Sequence, residues 1–118
     1  MSARILLVDD DRLIREVIGE YLISRGYEVD LAEEGYEALT MFCKQPYNLI
    51  LIDGLMQRMT GLELMRLIHA RDKHALCMIM TGHKNLDSVK KSMREGISDF
   101  IIKPFRLPEL LNLVQKYV

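Results

Sequence analysis

The sequence predicts a doubly wound α/β fold, a parallel sheet with helices on both faces, and two observations carry that expectation. Short apolar runs alternate five times with longer segments of helical period, which is how successive βα units read along a chain. The most apolar run, Leu49-Ile50-Leu51-Ile52, has no polar alternation and suits a central strand covered on both faces.

Each element follows in order. The first strand is Ile5-Leu6-Leu7-Val8, and the helix after it carries Leu13, Ile14, Val17, Ile18, Tyr21 and Leu22 at helical spacing. Gly26 ends that helix in a left-handed cap. The second strand covers residues 27–31, and its helix holds Ala38, Leu39, Met41 and Phe42 before Pro46 stops it. After the third strand a helix begins near Gly61 and buries Leu62, Met65 and Ile68. Residues 75–80 make the fourth strand, closed by Thr81-Gly82. A helix over residues 85–95 then places Leu86, Val89 and Met93 on one side and ends at Gly96. Phe100-Ile101-Ile102 is the fifth strand, and Pro108 opens a last helix with Leu111 and Val114 on its apolar face.

A length of 118 residues suits one hydrophobic core. The composition, 49% hydrophobic and 28% charged, is ordinary for a globular domain. Sixteen basic residues against 17 acidic ones leave a formal charge of -1, too little field to draw the chain onto nucleic acid or a membrane surface. The apolar runs are far shorter than the roughly 20 residues of a membrane-spanning helix. The start, Met1-Ser2-Ala3-Arg4, lacks the apolar segment of a signal peptide, so the cytoplasm is the expected compartment. Cys43 and Cys77 each sit in an apolar pattern and are expected as buried, reduced thiols. Met78, Met80 and Met93 are expected to fill the core.

In such a sheet, ligands bind beyond the carboxyl ends of the strands. That edge receives Asp9, Asp10 and Asp11 after the first strand, Asp53 after the third, Thr81 after the fourth and Lys103 after the fifth. Asp11 suits a helix cap. The other carboxylates repel one another by roughly 4 kcal/mol at about 4 Å and an effective dielectric of about 20, so the cluster calls for a divalent cation. All-oxygen ligation points to magnesium, with manganese as its stand-in. An ionised carboxylate is also a nucleophile toward phosphorus, and Asp53 is the best placed. Lys103 and Thr81 suit the neutralisation and hydrogen bonding of transferring phosphoryl oxygens. His69, His74 and His83 are scattered rather than spaced as ligands and are expected at the surface. Lys84, Lys90, Lys91 and Arg94 read as a solvated basic face.

Taken together, Val8-Asp9-Asp10-Asp11, Leu51-Ile52-Asp53, Met56 with Gly61, Met80-Thr81-Gly82 and Phe100-Ile101-Ile102-Lys103-Pro104-Phe105 resemble the receiver domain of bacterial two-component response regulators. The resemblance covers essentially the whole chain, residues 1–118, with no output domain following. It implies a flavodoxin-like (βα)5 three-layer sandwich with strand order 2-1-3-4-5. It further implies that Asp9 and Asp10 form the acidic pocket, that Asp10, Asp53 and the backbone carbonyl of Leu55 bind the metal, and that Asp53 is phosphorylated by a sensor histidine kinase or phosphotransfer protein. Thr81 and Phe100 are then the switch pair, Lys103 contacts the phosphoryl group, and Lys103–Pro104 is a cis bond. Leu55 and His83 occupy the variable positions that modulate hydrolysis. The implied partners also include a downstream target or a fused output domain, and a second copy through the fourth helix, fifth strand and fifth helix. Gln57 departs from the family pattern, which has proline there, and with Gly54 it predicts a looser loop after Asp53.

Three rivals share some of these features. A haloacid dehalogenase type phosphatase would use Asp9 as nucleophile, but it needs an acidic pair after its lysine, where this chain has Pro104-Phe105. A flavodoxin-like electron carrier needs a hydroxyl- and glycine-rich phosphate loop after the first strand, where three aspartates would repel the FMN phosphate. A receiver-shaped interaction module that is never phosphorylated is the third, suggested by the altered loop at Gln57.

Overall fold

The computed structural model describes residues 2–82, 91 and 93–118. Its five strands are β1 (Arg4–Val8), β2 (Glu28–Ala32), β3 (Leu49–Asp53), β4 (Cys77–Thr81) and β5 (Asp99–Ile102). They lie in the order β2-β1-β3-β4-β5, and every neighbouring pair is parallel. The predicted doubly wound architecture is therefore the one observed. Strands two and four begin and end slightly later than the apolar pattern suggests, because register with β1 and β3 rather than hydrophobicity sets their ends.

Alternation within the apolar strands sorts the core into two layers. Ile5, Leu7, Leu49, Leu51, Met78 and Met80 face α1 (Arg12–Ser24) and the C-terminal helix (Leu107–Gln115), through Ile18, Leu22, Leu110 and Val114. Leu6, Val8, Ile50, Ile52, Cys77 and Ile79 face α2 (Gly35–Lys44) and α3 (Gly61–Arg71), through Ala38, Leu64, Met65 and Ile68. All five residues of β3 are buried, as a central strand requires.

The starts of α1 and α3 carry side-chain caps. The Asp11 carboxylate accepts from the Leu13 and Ile14 N–H groups at 2.9 and 3.2 Å, and the Thr60 hydroxyl accepts from the Glu63 N–H at 3.1 Å. Gly26 has φ 98° where α1 ends. Residues 85–90 and 92 of the predicted 85–95 helix, with Leu86 and Val89, lie outside the described residues, as do His83, Lys84 and Lys90. The end of that segment is described: Gly96 has φ 109°, and its N–H donates to the Met93 carbonyl at 3.2 Å. The Arg66 guanidinium pairs with both oxygens of Glu95 at 2.9 and 2.8 Å, tying α3 to this turn.

Several side-chain expectations are corrected. Leu13 and Val17 of the α1 stripe are 69% and 44% exposed. The line facing the sheet instead runs through Arg15, Ile18, Gly19 and Leu22, because an apolar arc that wide cannot all reach one surface. Cys43 is exposed, and only Cys77 is buried; α2 turns Ala38 inward and Cys43 away. Met78 and Met80 are core residues, but Met93 is half exposed. His69 is not a plain surface histidine: it is partly buried, with Nε2 2.9 Å from the Ala75 carbonyl and 3.9 Å from the Cys77 sulfur. Leu110 rather than Leu111 is buried beside Val114 in the C-terminal helix. Among the described residues, no helix is long and apolar enough to cross a membrane.

Two groups, the buried Cys77 and the partly buried Tyr47, give the fold an alkaline limit. Burial pushes the Cys77 thiol up to about 12. Burial, together with a 2.7 Å hydrogen bond to Asp30, does the same for the Tyr47 phenol. Each binds its proton more tightly folded than unfolded, so its contribution is complete below its ordinary value and is lost as pH rises toward the folded value. The urea midpoint is therefore expected to fall progressively from pH 9.0 to about 12; a midpoint constant across that window would refute the assignment.

Candidate functional site

The carboxyl ends of β1, β3, β4 and β5 meet at one rim. Val8 pairs with Ile52, Asp53 with Met80, and Thr81 with Ile102, so the residues at or just after these positions converge. Asp9, Asp10 and Asp53 each offer a carboxylate oxygen within 4.8 Å of the others. Asp9 is fully buried, Asp53 is 7% exposed, and Asp10 faces solvent. Lys103 Nζ donates to Asp53 Oδ1 at 3.2 Å and to Asp9 Oδ2 at 3.5 Å. The Lys103 N–H is itself fixed on the Thr81 carbonyl at 2.7 Å.

Local backbone explains why three consecutive aspartates take three positions. The Asp9 N–H donates to the Ala32 carbonyl at 3.2 Å, extending the β1–β2 ladder by one residue. Its Oδ1 accepts from the Asp11 N–H at 2.9 Å, which closes a tight turn. Asp11 leaves the cluster to cap α1, and Asp10 between them is exposed at the rim.

Burial raises the Asp9 carboxyl above the ordinary carboxylate range. The charge of Asp53 raises it further, against the opposing pulls of the Asp11 N–H and Lys103. Burial alone would lower Lys103, but Asp9 and Asp53 outweigh it and hold the ammonium above its ordinary value. Ionising Asp9 therefore costs folding free energy as pH rises through its raised value, and Lys103 offsets part of that cost. A site of this charge, with only oxygen donors, fits a hard divalent cation.

Thr81 closes β4 and is partly exposed, while Phe100 in β5 packs partly buried against the core on the α2–α3 side. Leu55 is 63% exposed, and its N–H donates to Asp53 Oδ1 at 3.3 Å. The Lys103–Pro104 bond is cis. His83 lies outside the described residues.

The loop that the sequence predicts to be looser, after Asp53, makes backbone hydrogen bonds at both of its ends, while Leu55, Gln57 and Arg58 are exposed. The Gly54 N–H donates to the Met80 carbonyl at 2.8 Å, and its own carbonyl accepts from the Gly61 N–H at 3.2 Å. Met59 is 4% exposed, and Arg58, in the left-handed region at φ 70°, pairs with Glu34 at 3.6 Å. Gly61 itself is required by close approach, since a Cβ there would lie 2.7 Å from the Asp53 carbonyl oxygen. Gly61→Ala is expected to cost about 1–3 kcal/mol, as overpacking against fixed backbone does. A urea midpoint equal to that of the parent would contradict this.

Sequence reading missed Arg15. It is 8% exposed, and its Nη1 donates to the Asp9 carbonyl at 2.8 Å. The available signal was its place on the Ile18–Leu22 line of α1, where a charged residue interrupts the sheet-facing side.

Fold and site together define a doubly wound α/β module with an acidic cluster and a lysine at the carboxyl rim of its sheet, and comparison with known proteins gives its family. The chain belongs to the response regulator receiver domain family, which matches residues 5–115. It is 33% identical over 117 residues to the response regulator protein FleR of Pseudomonas aeruginosa, covering 99% of this chain and 25% of FleR. It is 36% identical over 111 residues to the response regulator MprA of Mycobacterium tuberculosis, covering 94% and 48%. The chain thus spans a quarter to about half the length of these relatives. Among solved structures, the chemotaxis protein CheY4 of Vibrio cholerae matches with a TM-score of 0.95 at 28% identity over 100% of both chains. NtrX from Brucella abortus matches with a TM-score of 0.91 at 29% identity, over 99% of this chain and 27% of NtrX.

Proposed function

We propose that this chain accepts a phosphoryl group on Asp53 from the phosphohistidine of a sensor histidine kinase or phosphotransfer protein, in a magnesium-dependent reaction in the cytoplasm. The observation that carries the reading is the Lys103 ammonium, 3.2 Å from Asp53 and 3.5 Å from Asp9, within a cluster of three carboxylates. Asp10, Asp53 and the Leu55 carbonyl would hold the cation, with Asp9 completing the acidic pocket. Bound magnesium, or manganese, supplies positive charge to the phosphoryl oxygens.

The Asp53 carboxylate attacks phosphorus; the P–N bond breaks as the new P–O bond forms, and the imidazole nitrogen keeps the electron pair and takes a proton. Lys103 meets charge on the transferring oxygens, and the Thr81 hydroxyl donates to one of them. Thr81 and Phe100 then move together as the switch, altering the surface formed by the 85–95 segment, β5 and the C-terminal helix. That surface meets a downstream target, a fused output domain or a second copy of the chain. Leu55 and His83 regulate how readily water reaches the acyl phosphate. Asp9 is the poorer nucleophile, being wholly buried, which disfavours the phosphatase alternative.

The test is intact mass after acetyl phosphate treatment with and without magnesium, followed by peptide mapping. A magnesium-dependent gain of one phosphoryl on Asp53 is expected. No gain would leave the unphosphorylated interaction module standing, and a gain on Asp9 would favour the phosphatase.

A further inference from the structure

We propose that Arg15 is a positioning residue for the divalent cation, clamping the Asp9–Asp10 peptide from inside the fold so that both carboxylates converge with Asp53. The inference rests on the phosphoacceptor reading above.

A buried guanidinium is expensive unless its donors are met, and the partners of Arg15 show where it acts. Nη1 donates to the Asp9 main-chain carbonyl at 2.8 Å, and Nη2 lies 3.5 Å from Glu33, which is 73% exposed. The Asp9 carbonyl belongs to the peptide that continues into Asp10. The N–H at the other end of Asp9 is already fixed on the Ala32 carbonyl. Asp9 is therefore held at both backbone groups, and Asp10, exposed and otherwise poorly restrained, starts from a fixed plane. Glu33 and Asp10 line one cleft of about 380 Å³ with Glu34, Glu37, Gln57 and Arg58. Arg15 thus links the acidic pair to the β2–α2 loop.

Arg15 grips a main-chain oxygen and not a ligand carboxylate, so its two effects on cation binding have opposite signs. As a positive charge near three acids it opposes the cation, and deleting it should tighten binding. As a clamp it prearranges the ligands, and deleting it should weaken binding, as loss of outer-shell support typically does by 10-fold or more.

Magnesium affinity of the unphosphorylated chain, measured by titration calorimetry, separates the two. Arg15→Met, close in shape and uncharged, is expected to bind magnesium about 10-fold more weakly than the parent. Arg15→Lys, which keeps the charge and loses the fork, is expected to fall between them. Thermal unfolding of each variant is recorded alongside, because a merely structural role would lower the melting temperature without moving the affinity. Unchanged or tighter binding by a folded Arg15→Met overturns the proposal. Should that variant not fold, affinity of Arg15→Lys equal to the parent overturns it. A parent that binds no magnesium, by contrast, removes the phosphoacceptor reading itself.

Discussion

Asp53→Asn is expected to abolish phosphoryl uptake from acetyl phosphate and, in the absence of cation, to make the protein more stable. The first effect follows because asparagine has no anionic oxygen to attack phosphorus. The second follows from geometry. Asp53 is 7% exposed and sits within 4.8 Å of oxygens on Asp9 and Asp10, with one ammonium to offset two like charges. Removing its charge relieves both repulsions at the loss of one attraction, a net gain on the order of 1–2 kcal/mol at an effective dielectric near 20. The measurements are intact mass and the urea midpoint in chelator. Persistent single phosphorylation of the variant would place the acceptor elsewhere, and a lower midpoint would mean that Asp53 is held by favourable bonds that outweigh the repulsion.

Lys103→Met is expected to act in the opposite direction on stability and in the same direction on chemistry. The ammonium lies 3.2 Å from Asp53 and 3.5 Å from Asp9, so its removal leaves two buried acids facing each other and costs on the order of 1–2 kcal/mol in cation-free protein. It also removes a preorganised positive charge from the transferring phosphoryl group. Such losses typically slow a reaction about 10²-fold, read here as the initial rate of mass gain with acetyl phosphate at saturating magnesium. A rate near that of the parent would mean that the lysine takes no part in transfer. The contrast between the two variants is itself diagnostic, since a purely structural role for the cluster would move both midpoints the same way.

Much of this was legible in the chain. Strands read clearly because Ile5–Val8, Leu49–Ile52 and Phe100–Ile102 are apolar runs too short to be helices. The abrupt polar residues that end them are the ones the parallel sheet gathers at its rim. Helix rotation was less legible. Leu13 and Val17 have the right chemistry for burial, but packing of α1 over β1 and β2 places Gly19 against Leu31 and turns those two outward. Arg15 was missed because an arginine reads as surface by default; its place on the Ile18–Leu22 line was the only signal, and its partner is a backbone carbonyl that no side-chain pattern reveals. Gly61 was legible as a helix start and as part of the resembling motif, but the reason for it was not: the need arises from the Asp53 carbonyl, a contact created only when the loop folds back.

The bonds from Gly54 to Met80 and from Gly61 to Gly54 have a mechanical corollary. The peptide chain next to Asp53 is moored to the adjacent strand on one side and to the start of α3 on the other. If Asp53 takes a phosphoryl group as proposed, the added bulk sits over backbone hydrogen-bonded on two sides, and the displacement it causes is expected to pass sideways to less anchored parts of the rim. On that reading, a well-bonded floor beneath the reactive group would let a small chemical addition be felt at a distance.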